Sequence, residues 1–486
     1  MMPAVISPVL RVAFAATALV FAATAGAAGA AGAQDSTDEA ATARYFDSVR
    51  PDTPLLIAFL REMPKGADLH SHLSGAVYAE SFLRWAAEDG ACVSRVQLRI
   101  LPGPCASGAD TVAATVGIAD GALYSALIDA LSMRNWNAAR INGHDQFFAT
   151  FGRMFSARPR VGDMLAEAAS RAAAGNVSYL ELMFTPDGSA ARMLGDRAGW
   201  LGDFARMRDT LLALGIDRVV AGARARIDSV EARRDAVLAC GTPAADAGCA
   251  VTVRWLYQVS RATPPQQIFA QILTGFILSR DDPRVVGFNL VQPEDALIAM
   301  RDYSLHMRMI GALRSYYPGV RVSLHAGELA SGLVPPEGLR FHVREAVEVA
   351  GASRIGHGVS VMHEDRPYDL LAEMARRGVL VEINLTSNDV ILGVKGRDHP
   401  LRAYMAAGVP VALSTDDEGV ARSEMTMEYV RAAQQQLLGY RDLKAMARAS
   451  LRHSFADETT KSRLVRDLES AFAAFEARMA GRTQPR

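Results

Sequence analysis

The sequence predicts an α/β fold, a (β/α)8 barrel of the TIM type. After residue 60, eight short apolar, β-prone runs recur along the chain. Most are separated by longer stretches whose apolar residues fall at helical spacing, which is the alternation a closed parallel barrel requires. Neither G-x-G-x-x-G nor G-x-x-x-x-G-K stands at the end of any of these runs, which weighs against an open, doubly wound nucleotide-binding sheet.

The eight runs are residues 67–72, 177–182, 251–257, 285–291, 320–325, 354–357, 378–384 and 410–416. Amphipathic segments such as Val161 to Ala174 and Ile298 to Tyr316 read as the intervening helices. Residues 34–62 precede the first strand and read as a helical N-terminal extension. The barrel itself is expected over 63–486. Residues 89–118 break the alternation and read as an insertion after the first strand, folded around a cysteine pair. Near the C-terminus, Leu464, Leu468, Phe472, Phe475 and Met479 form a stripe at helical spacing. Such a stripe is expected to pack on its own domain, with a homodimer contact as the alternative.

Half of the 486 residues are hydrophobic and 22% are charged, enough apolar material for a large core. With 52 basic and 53 acidic side chains the formal charge is -1, so no nucleic-acid or membrane-surface partner is expected. Residues 1–33 carry one charge, Arg11, then an apolar run from Val12 to Ala25 and an A-x-A pattern at Ala31-Gly32-Ala33. The run is short for a membrane span and fits a cleaved export leader. The expected mature protein is therefore periplasmic or secreted, with no stable membrane association. Its four cysteines lack C-x-x-C spacing; proximity favours Cys92–Cys105 and Cys240–Cys249 as local disulfides among three possible pairings.

Metal-competent side chains fall where the strands finish. His70 and His72 close the first strand, and their i, i+2 spacing points both imidazoles to one side. His325 closes the fifth strand, His357 the sixth, and Asp416-Asp417 the eighth. In this barrel class the C-terminal rim is where sites assemble. Three neutral imidazoles and a carboxylate suit one divalent transition ion such as Zn2+, with His70, His72, His325 and Asp416 as ligands. His357 is then placed to accept a proton from water, and Glu328, three residues beyond a ligand, to donate one to a substrate.

Met63-Pro64-Lys65 leading to His70-x-His72, His325-Ala326-Gly327-Glu328, Arg354-Ile355-Gly356-His357-Gly358, Thr386-Ser387-Asn388 and Ser414-Thr415-Asp416-Asp417 together resemble the motif set of adenosine deaminases. The leader and the cysteine-bearing insertion resemble the secreted branch, the adenosine deaminase-related growth factors. The resemblance runs from about Met63 to Phe455. It implies zinc-dependent hydrolytic deamination of adenosine or 2′-deoxyadenosine, a small uncharged purine nucleoside, to the inosine product and ammonia. It further implies that Glu328 protonates purine N1, that His357 orients and deprotonates the attacking water, and that Asp417 shares a hydrogen bond at N7.

Two positions depart from the family pattern, and both belong to the implied substrate-binding set of Ser74, Gly75, Gln292 and Asp417. Where the family has an Asp that contacts the ribose 5′-hydroxyl, this chain has Ser74; where it has a glycine that meets the purine, this chain has Gln292, with Asn289 in place of an Asp. A deaminase of another 6-aminopurine nucleoside, including a 5′-modified one, is the alternative this leaves open. Rival classes fare worse. None of the four lysines ends the fourth strand, as a lysine-bridged binuclear hydrolase would need, and Glu181 reads as a buried hydrogen-bonding carboxylate rather than a bridge. H-x-E with P-C-x-x-C, the mark of cytidine-type deaminases, is absent. A non-catalytic extracellular nucleoside binder would be expected to lack a ligand, Glu328 or His357, and all are present.

Overall fold

In the computed structural model, residues 37–482 are described apart from 107, 140 and 155–159. The leader expected over 1–33 lies outside the described residues. Eight parallel strands follow one another around a barrel: β1 Gly66–His72, β2 Val177–Phe184, β3 Thr252–Ser260, β4 Val285–Val291, β5 Arg321–Ala326, β6 Arg354–His357, β7 Leu380–Ile383 and β8 Val411–Leu413. Each pairs with the next in sequence, as right-handed β-α-β crossovers require. Closure between β8 and β1 is made by a single bridge, Ser71 to Asp416. There His72 N–H donates to Asp416 O, and Asp416 N–H to His70 O, both at 2.9 Å. The seam of the barrel thus fixes the backbone of three expected metal ligands.

All eight strands lie where the β-prone runs place them, because strands covered on both faces must be almost continuously apolar. The helix expected at Val161–Ala174 forms over those residues. The segment 298–316 instead divides into Leu297–Arg301 and Tyr303–Tyr316. Asp302 leaves helical geometry there (φ −104°, ψ 11°), as a short acidic side chain does more readily than an alanine or leucine. The N-terminal extension consists of two helices, 37–49 and Thr53–Glu62. The Leu464–Met479 stripe is buried within the chain's own core, with Phe475 in edge contact with Phe59. It is core, not a free face.

The inserted sheet lies within the expected residues 89–118. The helix of β1, Ala79–Glu88, comes first, and only then a three-stranded antiparallel sheet with Cys92–Ser94 at its centre between Ile100–Leu101 and Thr111–Ala113. Cys92 is bonded to Cys105 and Cys240 to Cys249. Among the described residues no helix is long and apolar enough to cross a membrane.

A polar chain crosses the barrel interior beneath the rim. Arg354 donates to Glu181 and Glu382, Ser323 donates to Glu382, and Asn289 donates to Ser323. All are buried. Glu181 also accepts from Tyr179 Oη and Phe455 N–H, so it serves as a fully hydrogen-bonded interior carboxylate. A buried charge persists only with such partners, and this chain ends on His70.

Candidate active site

His70, His72, His325 and Asp416 converge at the C-terminal rim. His325 Nε2 is 3.1 Å from His70 Nε2 and 3.2 Å from His72 Nε2. Asp416 Oδ1 is 3.3 Å from each of the latter two nitrogens. Four ligand atoms around one ion, at bonds of about 2.0–2.1 Å in a tetrahedral arrangement, stand roughly 3.3 Å apart. The spacing therefore fits a single transition ion. So does the chemistry, because among the described residues Asp416 Oδ1 is buried without a hydrogen bond, and three imidazole Nε2 atoms crowd the same point.

The opposite nitrogen of each imidazole is held by a neighbour, which sets which nitrogen carries the proton. His70 Nδ1 meets Glu382 Oε2 at 2.6 Å, His325 Nδ1 meets Asn289 Oδ1 at 2.8 Å, and His72 Nδ1 faces Gln258 Oε1 at 3.4 Å. Each Nε2 is left to face the cluster. Asp416 Oδ2 accepts from Ser387 Oγ at 2.6 Å, which leaves Oδ1 for the same point. The His70 ring packs against Gly356, where any Cβ would fall 2.4 Å from Cε1, so a glycine at that place in β6 is a condition of the ligand's position.

Glu328 and His357 stand beside the cluster. His357 Nδ1 meets Asn388 Oδ1 at 2.8 Å, and its Nε2 lies 3.7 Å from Glu328 Oε1 and 4.0 Å from Asp416 Oδ2. Burial pulls the His357 imidazole down to about 4, so it is neutral and free to take a proton. Burial, with the Asp416 carboxylate beside it, pushes Glu328 up to about 8, so it holds a proton at neutral pH. The same two causes raise Asp417 well above the carboxylate range. Among the described residues Asp417 Oδ1 has no hydrogen-bond partner.

The site opens into one cavity of about 450 Å³, within the range of small-molecule sites, with His70 and His357 behind its lining. Ser74, Gln292 and Asp417 line it along with His72, His325, Glu328 and Asp416. Gly75 does not. It lies under Asp417, whose side chain occupies the space a Cβ would need, and its carbonyl accepts from Gly419 and Val420. Three non-glycine residues of the site hold left-handed backbone: Gln292 (φ 82°), His357 (φ 67°) and Asp416 (φ 61°). Such strain, of order 1–3 kcal/mol each, persists where surrounding structure over-determines it and concentrates at functional sites.

Sequence reading missed several contributors. Glu382 could have been found, as an acid in the otherwise apolar run Val379 to Ile383. Glu294 accepts from Gly327 N–H (3.0 Å) and Glu328 N–H (2.9 Å) and so fixes the segment carrying the proton donor. The Gly143–Met154 helix lays Phe147, Phe148 and Phe151 along the cavity. Nothing in its amphipathic pattern separates that face from a core face.

The family model for adenosine deaminase matches residues 126–471. The chain belongs to the adenosine deaminase family. Among curated members of that family it is 30% identical over 230 residues to an adenine deaminase of Sinorhizobium fredii, a match covering 47% of this chain and 65% of that one. It is 34% identical over 147 residues to an adenosine deaminase of Clostridium perfringens, covering 30% and 41% respectively. The chain thus spans less than two thirds of the length of these curated relatives. An amidohydrolase structure from Burkholderia ambifaria with bound zinc shares the fold at a TM-score of 0.56 and 19% identity, covering 87% of this chain and 94% of that one. In this member of the adenosine deaminase family, His72, His325, Asp416, Glu328 and Asp417 line one cavity, and His70 and His357 are buried directly behind them.

Proposed function

We propose that this protein deaminates adenosine and 2′-deoxyadenosine hydrolytically, with zinc held by His70, His72, His325 and Asp416. The observation that carries the reading is the approach of His357 Nε2 and Glu328 Oε1, 3.7 Å apart, to an N3O donor set at the edge of one cavity. A zinc ion in that donor set supplies Lewis acidity, which makes water acidic enough to act as nucleophile near neutral pH. His357 Nε2, unprotonated and anchored through Nδ1 to Asn388, takes the proton of the attacking water. Glu328 delivers its proton to purine N1, which makes C6 electrophilic, and Asp417 engages N7. Phe147, Phe148 and Phe151 give the cavity an apolar wall. Positioned acid and base groups of this kind each contribute about 10²–10⁴-fold.

A second reading, deamination of the free base adenine, is favoured by Ser74. A neutral hydroxyl lines the cavity where a carboxylate would hold a sugar hydroxyl, and a curated relative is named an adenine deaminase. The composition of residues 1–33 supports export to the periplasm or medium, with a mature N-terminus at Gln34 that mass spectrometry of the natural protein would register.

The test is turnover by the zinc-loaded mature chain, followed as loss of purine absorbance, over adenosine, 2′-deoxyadenosine, 5′-deoxyadenosine, 5′-methylthioadenosine and adenine. Glu328→Gln is expected to lower kcat by at least about 100-fold with zinc retained near one per chain. Absence of turnover across the whole panel would overturn the deaminase reading, and adenine as the best substrate would select the second one.

A further inference from the structure

The segment from His325 to Glu328 carries a metal-competent imidazole at one end and the proposed proton donor at the other. Both ends are gripped by one buried ion pair from elsewhere in the chain. Glu294 accepts from Gly327 N–H through Oε1 at 3.0 Å and from Glu328 N–H through Oε2 at 2.9 Å. Arg261 Nη1 lies 3.9 Å from Glu294 Oε2 and donates to His325 O at 3.2 Å. Arg261 is 0% exposed and Glu294 1%. Successive N–H groups can face one anion when the chain turns left-handed between them, and Gly327 has φ at 74°. A Cβ there would fall 2.8 Å from Val343 Cγ2 and 2.9 Å from Ser360 Oγ.

The carboxylate is itself held from behind. Burial opposes a charge on Glu294, but His342 and Arg261 hold its carboxyl down to about 2. An ionised carboxylate only accepts, so His342 carries its proton on Nδ1 and donates it to Oε1. Tyr303 stacks on the His342 ring at 3.7 Å, and its hydroxyl donates to His342 O at 2.9 Å. The Glu328 side chain, by contrast, stands free for a substrate, with Oε1 3.7 Å from His357 Nε2 and beyond hydrogen-bond length. Its aim is therefore set through its backbone.

We infer that Glu294 is a positioning residue for proton transfer from Glu328, its two carboxylate oxygens fixing where that donor stands relative to His325. The inference rests on the deaminase reading above. The role requires a carboxylate, because a carboxamide has one oxygen, and its NH2 group would face one of the two N–H groups or the imidazole N–H.

The experiment is a double-mutant cycle on the zinc-loaded mature protein, with adenosine, or with adenine if that is the better substrate. Glu294→Gln should lower kcat about 10- to 100-fold, as displacement of a reacting group by up to about 1 Å can do. KM should stay within about 3-fold and zinc near one per chain, since Glu294 neither lines the cavity nor belongs to the donor set. In a Glu328→Gln background, which has no acidic proton to place, the same change should cost less than about 3-fold more, with slow turnover read by chromatographic separation of the product. Glu294→Asp keeps the charge beside Arg261 and His342 but retracts both oxygens. It should show the same dependence on Glu328, and it carries the test if the Gln variant does not fold. Equal losses of kcat with and without Glu328 would overturn the inference and leave the deaminase reading standing, because a residue that only stabilises the loop lowers both backgrounds alike. An unchanged kcat in Glu294→Gln, or zinc lost from both Glu294 variants, would overturn it in the same way. Wild-type protein that turns over neither adenosine nor adenine overturns the deaminase reading and this inference together.

Discussion

His70 Nδ1 lies 2.6 Å from Glu382 Oε2, with both side chains wholly buried. Burial opposes the Glu382 charge, but Arg354 and then His70 hold its carboxyl below the usual range. The pair carries the buried Glu181–Arg354–Glu382 chain to the rim and fixes the ring that presents Nε2. Glu382→Gln should weaken metal affinity about 10- to 100-fold, as loss of a partner that orients a ligand typically does. Competition with a chelator, read by elemental analysis, would measure it; unchanged affinity would mean that packing against Gly356 alone orients the ring.

His144 Nε2 meets Asp295 Oδ1 at 3.0 Å and ties the helix bearing the phenylalanines to the loop after β4. Hydrogen bonding to Asp295, opposed by partial burial, raises His144 to about 9. The tie is therefore charged at neutral pH and is lost as pH rises through 9. Asp295→Asn should raise KM several-fold with little change in kcat, by loosening one cavity wall. Wild type should approach the variant's KM above pH 9.

Glu364 is raised to about 8, mainly by burial; among the described residues its Oε2 has no hydrogen-bond partner, while Oε1 accepts from Val343 N–H. In the unfolded chain a glutamate titrates near 4.5. Between those values the folded state binds the extra proton, so stability falls as pH rises from about 4.5 to 8. Glu364→Gln removes this contribution. Urea unfolding at pH 5 and pH 8 should show a smaller loss for the variant than for the wild type, by a few kcal/mol at most. Parallel profiles would contradict a protonated Glu364.

The Cys92–Cys105 bridge closes a 13-residue separation around the inserted sheet, and neither cysteine belongs to the metal-competent cluster. Replacing both with alanine should lower stability by about 2–4 kcal/mol, an entropic effect on the unfolded chain. The metal content should stay the same. Thermal melts with parallel metal analysis would separate the two effects.

The barrel was legible because a parallel strand buried on both faces must be apolar, and eight such runs at βα spacing leave few other architectures. The donor set was legible because imidazoles and carboxylates at strand ends converge on one rim. The helix break at Asp302 and the antiparallel sheet formed within the insertion were not. There, local preferences are weak and tertiary contacts decide.

By itself the sequence determined the order of strands, the residue types at the rim and the two departures at Ser74 and Gln292. Only the tertiary structure decided how those residues are held. It placed Asp416 on the seam beside Ser71 and brought Glu382 under His70. It also pinned Gln292 to Ala262, 30 residues away. Hydrogen-bond partners so distant along the chain leave no periodicity behind. They exist once the barrel closes, because closure sets which donor meets which acceptor.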